Sequence, residues 1–428
     1  MASTPLSPSV RSPESRPTMA HTSYPLHKIK VVLLEGVHPH AVTLMEEAGY
    51  TVQVHNGALS ESELVEIAAD AHMLGIRSKT QLTRGFFEES RHLWAVGCFC
   101  IGTNQVDLDA ATEHGVAVFN APFSNTRSVA EKTIAEIICL ERRLFERSMA
   151  LHQGRWIKSA AGSHEVRGLT LGIVGYGRIG SQVSVLAEAM GMRVVYYDTV
   201  NRMPLGNAQQ VRSLDVLLEQ SDVVTLHIPA TASTHHMINA ASIARMKPGA
   251  MLINNARGSV VDLEALGIAI REGRISGAAI DVFPEEPAKN DAPFHTPLLG
   301  LPNVILTPHI GGSTVEAQRN ISEEVGAKLI KHMNNGSTTL SVNIPEVELP
   351  LLHEHHHRIL HFHRNVPGVL SKMHRIIADL GVNIAAEFLQ SNPRYSYVIM
   401  DVAPEGSEAL KDRLKAEVEE TIRVRSIW

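Results

Sequence analysis

The chain has 428 residues, of which 44% are hydrophobic and 20% are charged, and its formal net charge is −6. This length exceeds the roughly 250–300 residues at which one hydrophobic core stops growing, so we expect two or three domains. The longest apolar run, residues 93–102, is about half as long as a membrane-spanning helix, and the basic residues form no stripe that could follow a phosphate backbone. We therefore expect neither membrane insertion nor a nucleic-acid partner.

The N-terminal segment and the cysteines both bear on the compartment. Residues 1–26 carry five prolines and many Ser and Thr without an apolar period, so we expect residues 1–27 to form a disordered tail without the apolar stretch of a secretory signal. Cys98, Cys100 and Cys139 are too few, and odd in number, for a disulfide framework. The composition favours a reducing compartment, and we expect a cytoplasmic protein.

Short apolar runs alternate with helical patterns over residues 30–119, which is typical of a parallel sheet with crossover helices. The expected strands are Lys30–Glu35, Thr51–His55, Met73–Ile76, His92–Ile101 and Val116–Phe119. The expected helices between them are His40–Ala48 and Glu61–Ala71. Ser128–Gln153 is predicted as one long helix that leads into a second α/β unit.

The second unit opens with a glycine-rich turn between a strand and a helix. The apolar strand Leu171–Val174 runs directly into the sequence GYGRIG, and a helical pattern continues to Met190. Gly175 allows the tight turn, Gly177 lets backbone N–H groups approach a pyrophosphate, and Gly180 lets the helix pack on the strand. The motif in this context predicts dinucleotide binding at a helix N-terminus.

A carboxylate after the next strand favours NAD as the dinucleotide. The strand Arg193–Tyr197 is followed by Asp198, at the position where a carboxylate accepts hydrogen bonds from ribose hydroxyls and repels a 2′-phosphate. No Arg follows Asp198 directly, so NAD is favoured over NADP. The remaining strands of a predicted six-stranded, doubly wound sheet are Asp222–Leu226, Met251–Asn254, Gly277–Val282 and Val304–Thr307.

Three ionisable residues follow strands of this sheet, at the edge where doubly wound folds bind their ligands. They are Arg257, Glu286 and His309. A dehydrogenase of 2-hydroxy acids needs a cation for the substrate carboxylate, a base for the hydroxyl proton and an acid that holds the base in one tautomer. Each residue alone has a structural alternative, such as a solvated loop charge. Their joint position after a nucleotide motif predicts catalysis without a metal.

The segments GYGRIG, NNARGSVVD, GAAIDVFPEEP and LTPHIGGST, in this order, resemble the D-2-hydroxyacid dehydrogenase family. The resemblance covers about residues 28–428 and implies a Rossmann-like nucleotide domain inserted in a flavodoxin-like substrate domain. It implies that Arg257 anchors and polarises the substrate, that His309 is the general acid/base and that Glu286 is its partner. The cofactor contacts that it implies beyond the glycines and Asp198 are Arg178, Ile179, Asn255, Asp281, Gly311 and Gly312.

The resemblance extends to two loops of the first unit, where Arg77, Ser78 and Asn125 match substrate-binding positions of the family. A substrate with three negative charges, such as phosphoglycerate, needs more cationic contacts than lactate, and Arg77 and Lys79 are candidates for these contacts. Lys79 is equally explained as a solvated loop charge. The implied reaction is the reversible, NAD-dependent oxidation of 3-phospho-D-glycerate to 3-phosphohydroxypyruvate, the first step of L-serine biosynthesis. A side reduction of 2-oxoglutarate is left open.

The last seventy residues predict a separate domain. The order strand, helix, strand, strand, helix, strand is typical of the ferredoxin-like α+β plan, with expected elements Arg358–Arg364, Val366–Leu380, Asn383–Leu389, Tyr395–Val402, Ser407–Glu420 and Thr421–Ile427. The segments HFHRNVPGVL and LGVNIAA resemble ACT regulatory domains. This resemblance implies an L-serine site lined by His363, Asn365 and Asn383 at a side-by-side pair of domains, and feedback inhibition by L-serine. The alternative is an oligomerisation module without a ligand.

The implied domain division is a substrate domain over residues 28–125 and 313–345, an NAD domain over 126–312, a linker over 346–357 and an ACT domain over 358–428. The chain is expected to return to the first domain through a helix over Ser313–Asn334, and residues 335–357 are expected to include one strand. Pairing of the nucleotide domains and of the ACT domains would make a homotetramer. Two alternatives stay open, namely another D-2-hydroxyacid dehydrogenase and an NAD-sensing, corepressor-like binding protein of the same fold.

Overall fold

A computed structural model describes residues 23–287, 291–353 and 355–428. These residues form three separate sheets of five, seven and four strands, each with its own helices. Across the described ranges, no helix combines the length and the apolar character that crossing a membrane requires.

The first sheet is parallel and has the strand order β2-β1-β3-β4-β5, the flavodoxin-like order. Its strands are β1 (Lys30–Leu33), β2 (Thr51–Val54), β3 (Met73–Ile76), β4 (Ala95–Cys98) and β5 (Ala117–Asn120). Its helices are α1 (Pro39–Glu47), α2 (Glu61–Ala68), α3 (Arg84–Glu89) and α4 (Leu108–Glu113). Helices α3 and α4 were not predicted because they are only six residues long; each begins at a side chain, Thr83 and Asp107, that accepts a backbone N–H of its first turn.

The second sheet is also parallel, with the order β12-β11-β10-β9-β6-β7-β8, which is the six-stranded Rossmann order 3-2-1-4-5-6 with one further strand, β12, added at an edge. Its strands are β6 (Thr170–Val174), β7 (Arg193–Tyr197), β8 (Gln209–Gln210), β9 (Val223–Leu226), β10 (Ala250–Asn254), β11 (Ile275–Ile280) and β12 (Val304–Leu306). Its helices are α5 (Thr126–Glu141), α6 (Leu144–His152), α7 (Arg178–Ala189), α8 (Leu214–Gln220), α9 (Ala240–Arg245) and α10 (Leu263–Arg271). The predicted Rossmann-like architecture is confirmed.

The chain then returns to the first sheet through the long helix α11 (Val315–Asn335). Ile321, Val325 and Leu329 of this helix pack into the same hydrophobic core as Val31 and Leu33 of β1. The nucleotide unit is thus inserted between two parts of the first unit, and the cleft between the two units lies at the carboxyl ends of both sheets.

The C-terminal unit is an antiparallel sheet in the order β14-β15-β13-β16, covered by two helices. Its elements are β13 (His357–Arg364), α12 (Val369–Leu380), β14 (Ile384–Ser391), β15 (Tyr395–Val402), α13 (Ser407–Glu417) and β16 (Thr421–Ile427). Alternate residues of β13 face opposite sides: Ile359 packs under α12 and α13, whereas Leu360 and Phe362 join the core of the first unit. The predicted βαββαβ plan is confirmed.

Several details differ from the sequence-based expectations. The helix expected over Ser128–Gln153 is two helices, because Arg143 adopts a left-handed conformation (φ 53°) that ends α5 and begins α6. The nucleotide sheet has seven strands rather than six, since the two-residue strand β8 is polar and gives no apolar signal. No strand lies between residues 336 and 353; this segment contributes only one isolated bridge, between Ser341 and Phe119.

The two segments expected to be unstructured also make contacts where the structure describes them. Most of the expected tail, residues 1–22, lies outside the described residues, but Leu26 packs against the first core and the Ser23 N–H donates to the carbonyl of Trp428 (3.0 Å). In the expected linker, Val347 and Leu349 are buried in that same core. These residues are held because their side chains are apolar and short stretches of apolar surface suffice to dock them.

Candidate active site

The glycine turn after β6 has the geometry that a dinucleotide requires. Gly175 has φ +93°, and a Cβ there would lie 2.5 Å from the carbonyl oxygen of His227. A Cβ on Gly180 would lie 2.2 Å from the carbonyl oxygen of Gly175, where helix α7 meets the strand. Gly177, the residue before α7, has open space around it. The backbone around Gly177 is therefore open to close approach, and the N–H groups of the first helical turn are available to a pyrophosphate.

Asp198 lies at the end of β7 beside this turn. Its Oδ2 accepts the N–H of Tyr176 (2.9 Å) and its Oδ1 accepts the N–H of Val200 (3.0 Å), so the carboxylate is fixed against the glycine turn. The Nε of Arg202, four residues further along the chain, lies 3.6 Å from Asp198 Oδ2. The site thus has the negative charge expected for NAD, and the nearby arginine is engaged by that charge.

The two residues predicted at the pyrophosphate begin helix α7. The guanidinium of Arg178 lies over the ring of Phe123, 3.6 Å from its centroid, so it bridges the nucleotide unit to the loop that follows β5. Ile179 packs against the core of the nucleotide unit. Both side chains are therefore engaged within the protein, and what these residues offer an anion is the backbone at the helix N-terminus.

His309 and Glu286 meet directly in the cleft. The Nδ1 of His309 lies 2.8 Å from Oε2 and 3.0 Å from Oε1 of Glu286, and the N–H of Phe283 donates to Oε1 at 3.1 Å. Burial alone would raise the pKa of Glu286, but the hydrogen bond and charge of His309 outweigh it and hold this pKa below its usual value. An ionised carboxylate only accepts, so Nδ1 carries the proton and Nε2 is left for a ligand.

Arg257 follows β10 and shares this part of the cleft. Its guanidinium is largely enclosed near Cys100 and Glu286, and burial lowers its pKa, an effect that the negative charge of Glu286 opposes. The Nη1 of Arg257 donates to the carbonyl of Ala256 (2.7 Å), which leaves its other N–H groups for a ligand. Because Cys100 belongs to the first unit and Glu286 to the second, Arg257 lies between the two walls of the cleft.

The predicted cofactor residue Asp281 is fully buried behind His309. Its Oδ1 accepts the hydroxyl of Thr307 (2.5 Å) and the N–H of Ile310 (3.0 Å), and its Oδ2 accepts the N–H of Gly311 (2.8 Å). Its backbone carbonyl accepts the N–H of His309 at 2.7 Å. The carboxylate therefore holds the backbone of the loop that presents His309 and Gly311.

Asn255 and Gly312, two further predicted cofactor residues, are packed against the start of α5. The amide of Asn255 donates to the Thr133 hydroxyl (3.0 Å) and to Glu136 Oε2 (2.7 Å), so this side chain is committed to helix α5. A Cβ on Gly312 would lie 2.6 Å from Nδ2 of Asn125, so a larger residue here would displace the Asn125 side chain at this contact between the two units.

The predicted substrate residues come from the opposite wall. Arg77 and Ser78 lie in the loop after β3, and Asn125 immediately precedes α5. Among the described residues, the Oδ1 of Asn125 is buried without a hydrogen-bond partner, which is the state expected of an acceptor that meets a ligand. The first-unit residue Asn125 lies against Gly312 of the nucleotide unit, and Arg77 and Arg257 both lie near Cys100, so residues of the two units face each other across the cleft.

Sequence reasoning missed the side chains that hold the Arg77 loop. The amide of Gln105 donates to the carbonyls of Arg77 (2.6 Å) and Gly102 (3.2 Å). The carboxylate of Glu35 accepts the N–H groups of Lys79 (3.0 Å) and Thr80 (2.8 Å). Glu35 follows strand β1, so its position at a carboxyl end was a usable signal, whereas nothing local marks Gln105.

The three predicted effector residues do not meet within one chain. His363 and Asn365 lie at the end of β13, whereas Asn383 precedes the start of β14, and the β13–β15–β14 register puts these at opposite ends of the sheet. Seven residues of strand separate them, about 20 Å. Among the described residues, Nε2 of His363 is buried without a partner, and the amide of Asn365 donates to the carbonyl of Asn392 (2.8 Å).

No group of three or more His, Cys, Asp or Glu side chains in the described ranges is placed to hold a metal ion.

Comparisons with known proteins agree with this geometry. A family model described as "D-isomer specific 2-hydroxyacid dehydrogenase, NAD binding domain" matches residues 134–311, and an "AHAS small subunit-like ACT domain" model matches residues 359–424. The crystal structure of a D-lactate dehydrogenase from Aquifex aeolicus, complexed with NAD and lactic acid, superposes with a TM-score of 0.62 at 31% identity, covering 72% of this chain and 96% of that one. Fold and site define an NAD-dependent oxidoreductase of the D-2-hydroxyacid dehydrogenase class.

Within this class, the relatives that match nearly the full chain include two bacterial enzymes. A D-3-phosphoglycerate dehydrogenase of Haemophilus influenzae is 53% identical over 94% of this chain and 98% of its own length. The enzyme of the same name from Escherichia coli K12 is 52% identical over 96% of this chain and 100% of its own length. The chain belongs to the D-3-phosphoglycerate dehydrogenase family.

Proposed function

We propose that the chain catalyses the reversible oxidation of 3-phospho-D-glycerate to 3-phosphohydroxypyruvate with NAD, the first step of L-serine biosynthesis. The observation that carries this proposal is the His309–Glu286 pair, at 2.8 Å, beside Arg257 and the glycine turn. The names of the relatives in two bacteria support the substrate.

The side chains divide the chemistry among them. Arg257 binds the substrate carboxylate with its forked donors and polarises the oxygen on C2. The free Nε2 of His309 takes the hydroxyl proton during oxidation and returns it during reduction, while Glu286 fixes the ring and stabilises its protonated form. NAD, when bound, accepts the hydride that leaves C2.

Recognition of the phosphate is assigned to the first-unit wall. Arg77 carries a guanidinium at the mouth of the cleft, and the exposed Lys79 lies two residues further along the same loop. Gln105 and Glu35 fix the backbone of this loop, so these two cations are presented at defined positions. Ser78 and Asn125 supply uncharged donors and acceptors beside them.

The test is the initial rate of NADH oxidation with a panel of 2-keto acids, namely 3-phosphohydroxypyruvate, hydroxypyruvate, pyruvate and 2-oxoglutarate. We expect the phosphorylated acid to have the highest kcat/KM, and H309A to abolish turnover while NADH still binds. The surface variant H295A serves as the control, because His295 is exposed in the same unit. A preference for pyruvate would identify another D-2-hydroxyacid dehydrogenase, and NAD binding without turnover of any acid would identify a corepressor-like binding protein.

L-serine is the effector proposed for the C-terminal unit. A side-by-side pair of such units would place Asn383 of one copy near His363 and Asn365 of the other, which one chain cannot do by itself. The buried, unpartnered Nε2 of His363 supports a polar ligand at that position. Because the site would lie between two copies, inhibition by L-serine would also depend on the assembly of the protein.

The effector is tested by adding L-serine to the same assay. We expect millimolar L-serine to inhibit the wild type, and N365A and N383A each to blunt inhibition with little change in kcat. L-alanine, which lacks the hydroxyl, is the matched control ligand. A wild type that is indifferent to L-serine would reject the effector and leave an oligomerisation module.

We assign a homotetramer and a cytoplasmic location to the functional protein. Helix α6 and the segment after it expose Phe145, Met149, Leu151 and Trp156, an apolar surface suited to a second copy. The described cysteines are free thiols, as in a reducing compartment. Light scattering tests the assembly, and fractionation of cells tests the location.

A further inference from the structure

A buried ionic network behind the active site connects helix α5 to both catalytic loops. The amine of Lys132 contacts Glu136 Oε1, lies 3.1 Å from Asn255 Oδ1 and 3.4 Å from Asp281 Oδ1. The carboxylates of Glu136 and Asp281 are almost fully buried, and Lys132 is 16% exposed. Two buried carboxylates therefore share one ammonium group.

Each anion of this network reaches a different catalytic loop. Glu136 holds the amide of Asn255, two residues before Arg257. Asp281 holds the N–H groups of Ile310 and Gly311 and, through its carbonyl, the N–H of His309. Lys132 thus contacts both arms.

The His309 loop needs such support. His309 has φ +54°, a left-handed conformation that costs about 1–2 kcal/mol for a residue with a Cβ. This conformation is kept by the bonds to Asp281, and a carboxylate buried without a cation tends to protonate or move. Burial raises the pKa of Glu136, and the positive charge of Lys132 opposes this increase.

We infer that Lys132 is a positioning residue that acts through Asp281, holding the His309 loop in the geometry in which its imidazole reaches the substrate hydroxyl. The expected loss of rate rests on the proposed function, but the contact between Lys132 and Asp281 is present without substrate. A displacement of about 1 Å at a reacting group is enough to cost on the order of 100-fold in rate.

The test is a double-mutant cycle in the full-length chain. We expect K132M to lower kcat by about 10–100-fold, D281N to lower it at least as much, and the double variant to be no slower than D281N, because both changes remove one support. K328M is the matched control: Lys328 forms a partly buried i,i+4 pair with Glu324 (2.7 Å), remote from Asp281 in its contacts. K328M should lose stability, but its effect on kcat should simply multiply with that of D281N. The inference would be overturned if the double variant lost kcat by the product of the two single losses, or if the kcat of K132M were within twofold of wild type.

Hydrogen exchange gives a readout that does not need turnover. We expect the amides of Ile310 and Gly311 to exchange at least tenfold faster in K132M than in K328M, and NADH titration verifies that each variant has a folded nucleotide site. K132Q, which keeps a donor for Asn255 and removes the charge, is measured beside K132M under the same criteria. Unchanged exchange in a folded variant contradicts the inference even if the substrate proposal fails. Misfolding of both variants would overturn it by showing that Lys132 supports the whole fold.

Discussion

The largest fully buried side chain among the described residues allows a quantitative stability prediction. Arg358 on β13 is 0% exposed and binds Asp401 on β15 through two bonds, Nε to Oδ1 at 2.6 Å and Nη2 to Oδ2 at 2.7 Å. Its Nη1 donates to the carbonyls of Asn335 (3.1 Å), at the end of α11, and Pro350 (3.0 Å). One guanidinium therefore joins the C-terminal unit to the first unit.

The substitution D401N keeps the shape of the side chain and removes the charge. It leaves a buried guanidinium without its anion, which costs about 3–5 kcal/mol. A domain of this size loses roughly 4–8 °C in Tm per kcal/mol, so the calorimetric transition of the C-terminal unit should fall by at least about 12 °C. The double variant R358M/D401L replaces the ion pair by apolar side chains and should recover most of this loss.

The matched control is an exposed pair of the same chemistry in the same unit. Arg413 and Glu417 also form two bonds, at 2.6 and 2.9 Å, on the outer surface of α13. E417Q should leave the transition unchanged, because a solvated pair contributes little. If the shift in Tm for D401N were as small as the shift for E417Q, the reasoning that burial makes the difference would be refuted.

Two further predictions concern the site. G180A places a Cβ 2.2 Å from the carbonyl oxygen of Gly175, so the Kd for NADH, measured by fluorescence titration, should rise about 10–100-fold, while G57A, in open space, should not change it. E286Q should lower kcat by about 10²–10⁴ through the wrong His309 tautomer. Because the pKa of Glu286 is lowered in the folded chain, its contribution to stability is present above the unfolded pKa near 4.3 and is lost as pH falls through the lower folded value. Urea midpoints of E286Q and wild type should therefore differ over pH 5–8 and converge as the pH falls below the unfolded pKa and through the lower folded value; a difference that vanishes at pH 6 would contradict this sign.

Local sequence was sufficient for the elements whose signal is short-range. The glycine spacing of GYGRIG, the apolar runs of the parallel strands and the residues just after them predicted the two sheets and the cleft residues Arg257, Glu286 and His309. This works because parallel strands deliver their carboxyl ends to one edge, so a position along the chain becomes a position in space.

Tertiary structure alone decided features that depend on distant partners. The break at Arg143 is a backbone conformation that no apolar period marks, and the pairing of Lys132 with Asp281 joins residues 149 positions apart. Glu136 lies on the buried face of α5 together with Val129, Thr133 and Ile137, and its partner Asn255 comes from a different part of the chain. The sheet register likewise shows that Asn383 and His363 lie at opposite ends of the sheet within one chain, so only two copies could bring them to one site. Periodicity reports which face of an element is buried; which group meets a buried charge is fixed only when the elements pack.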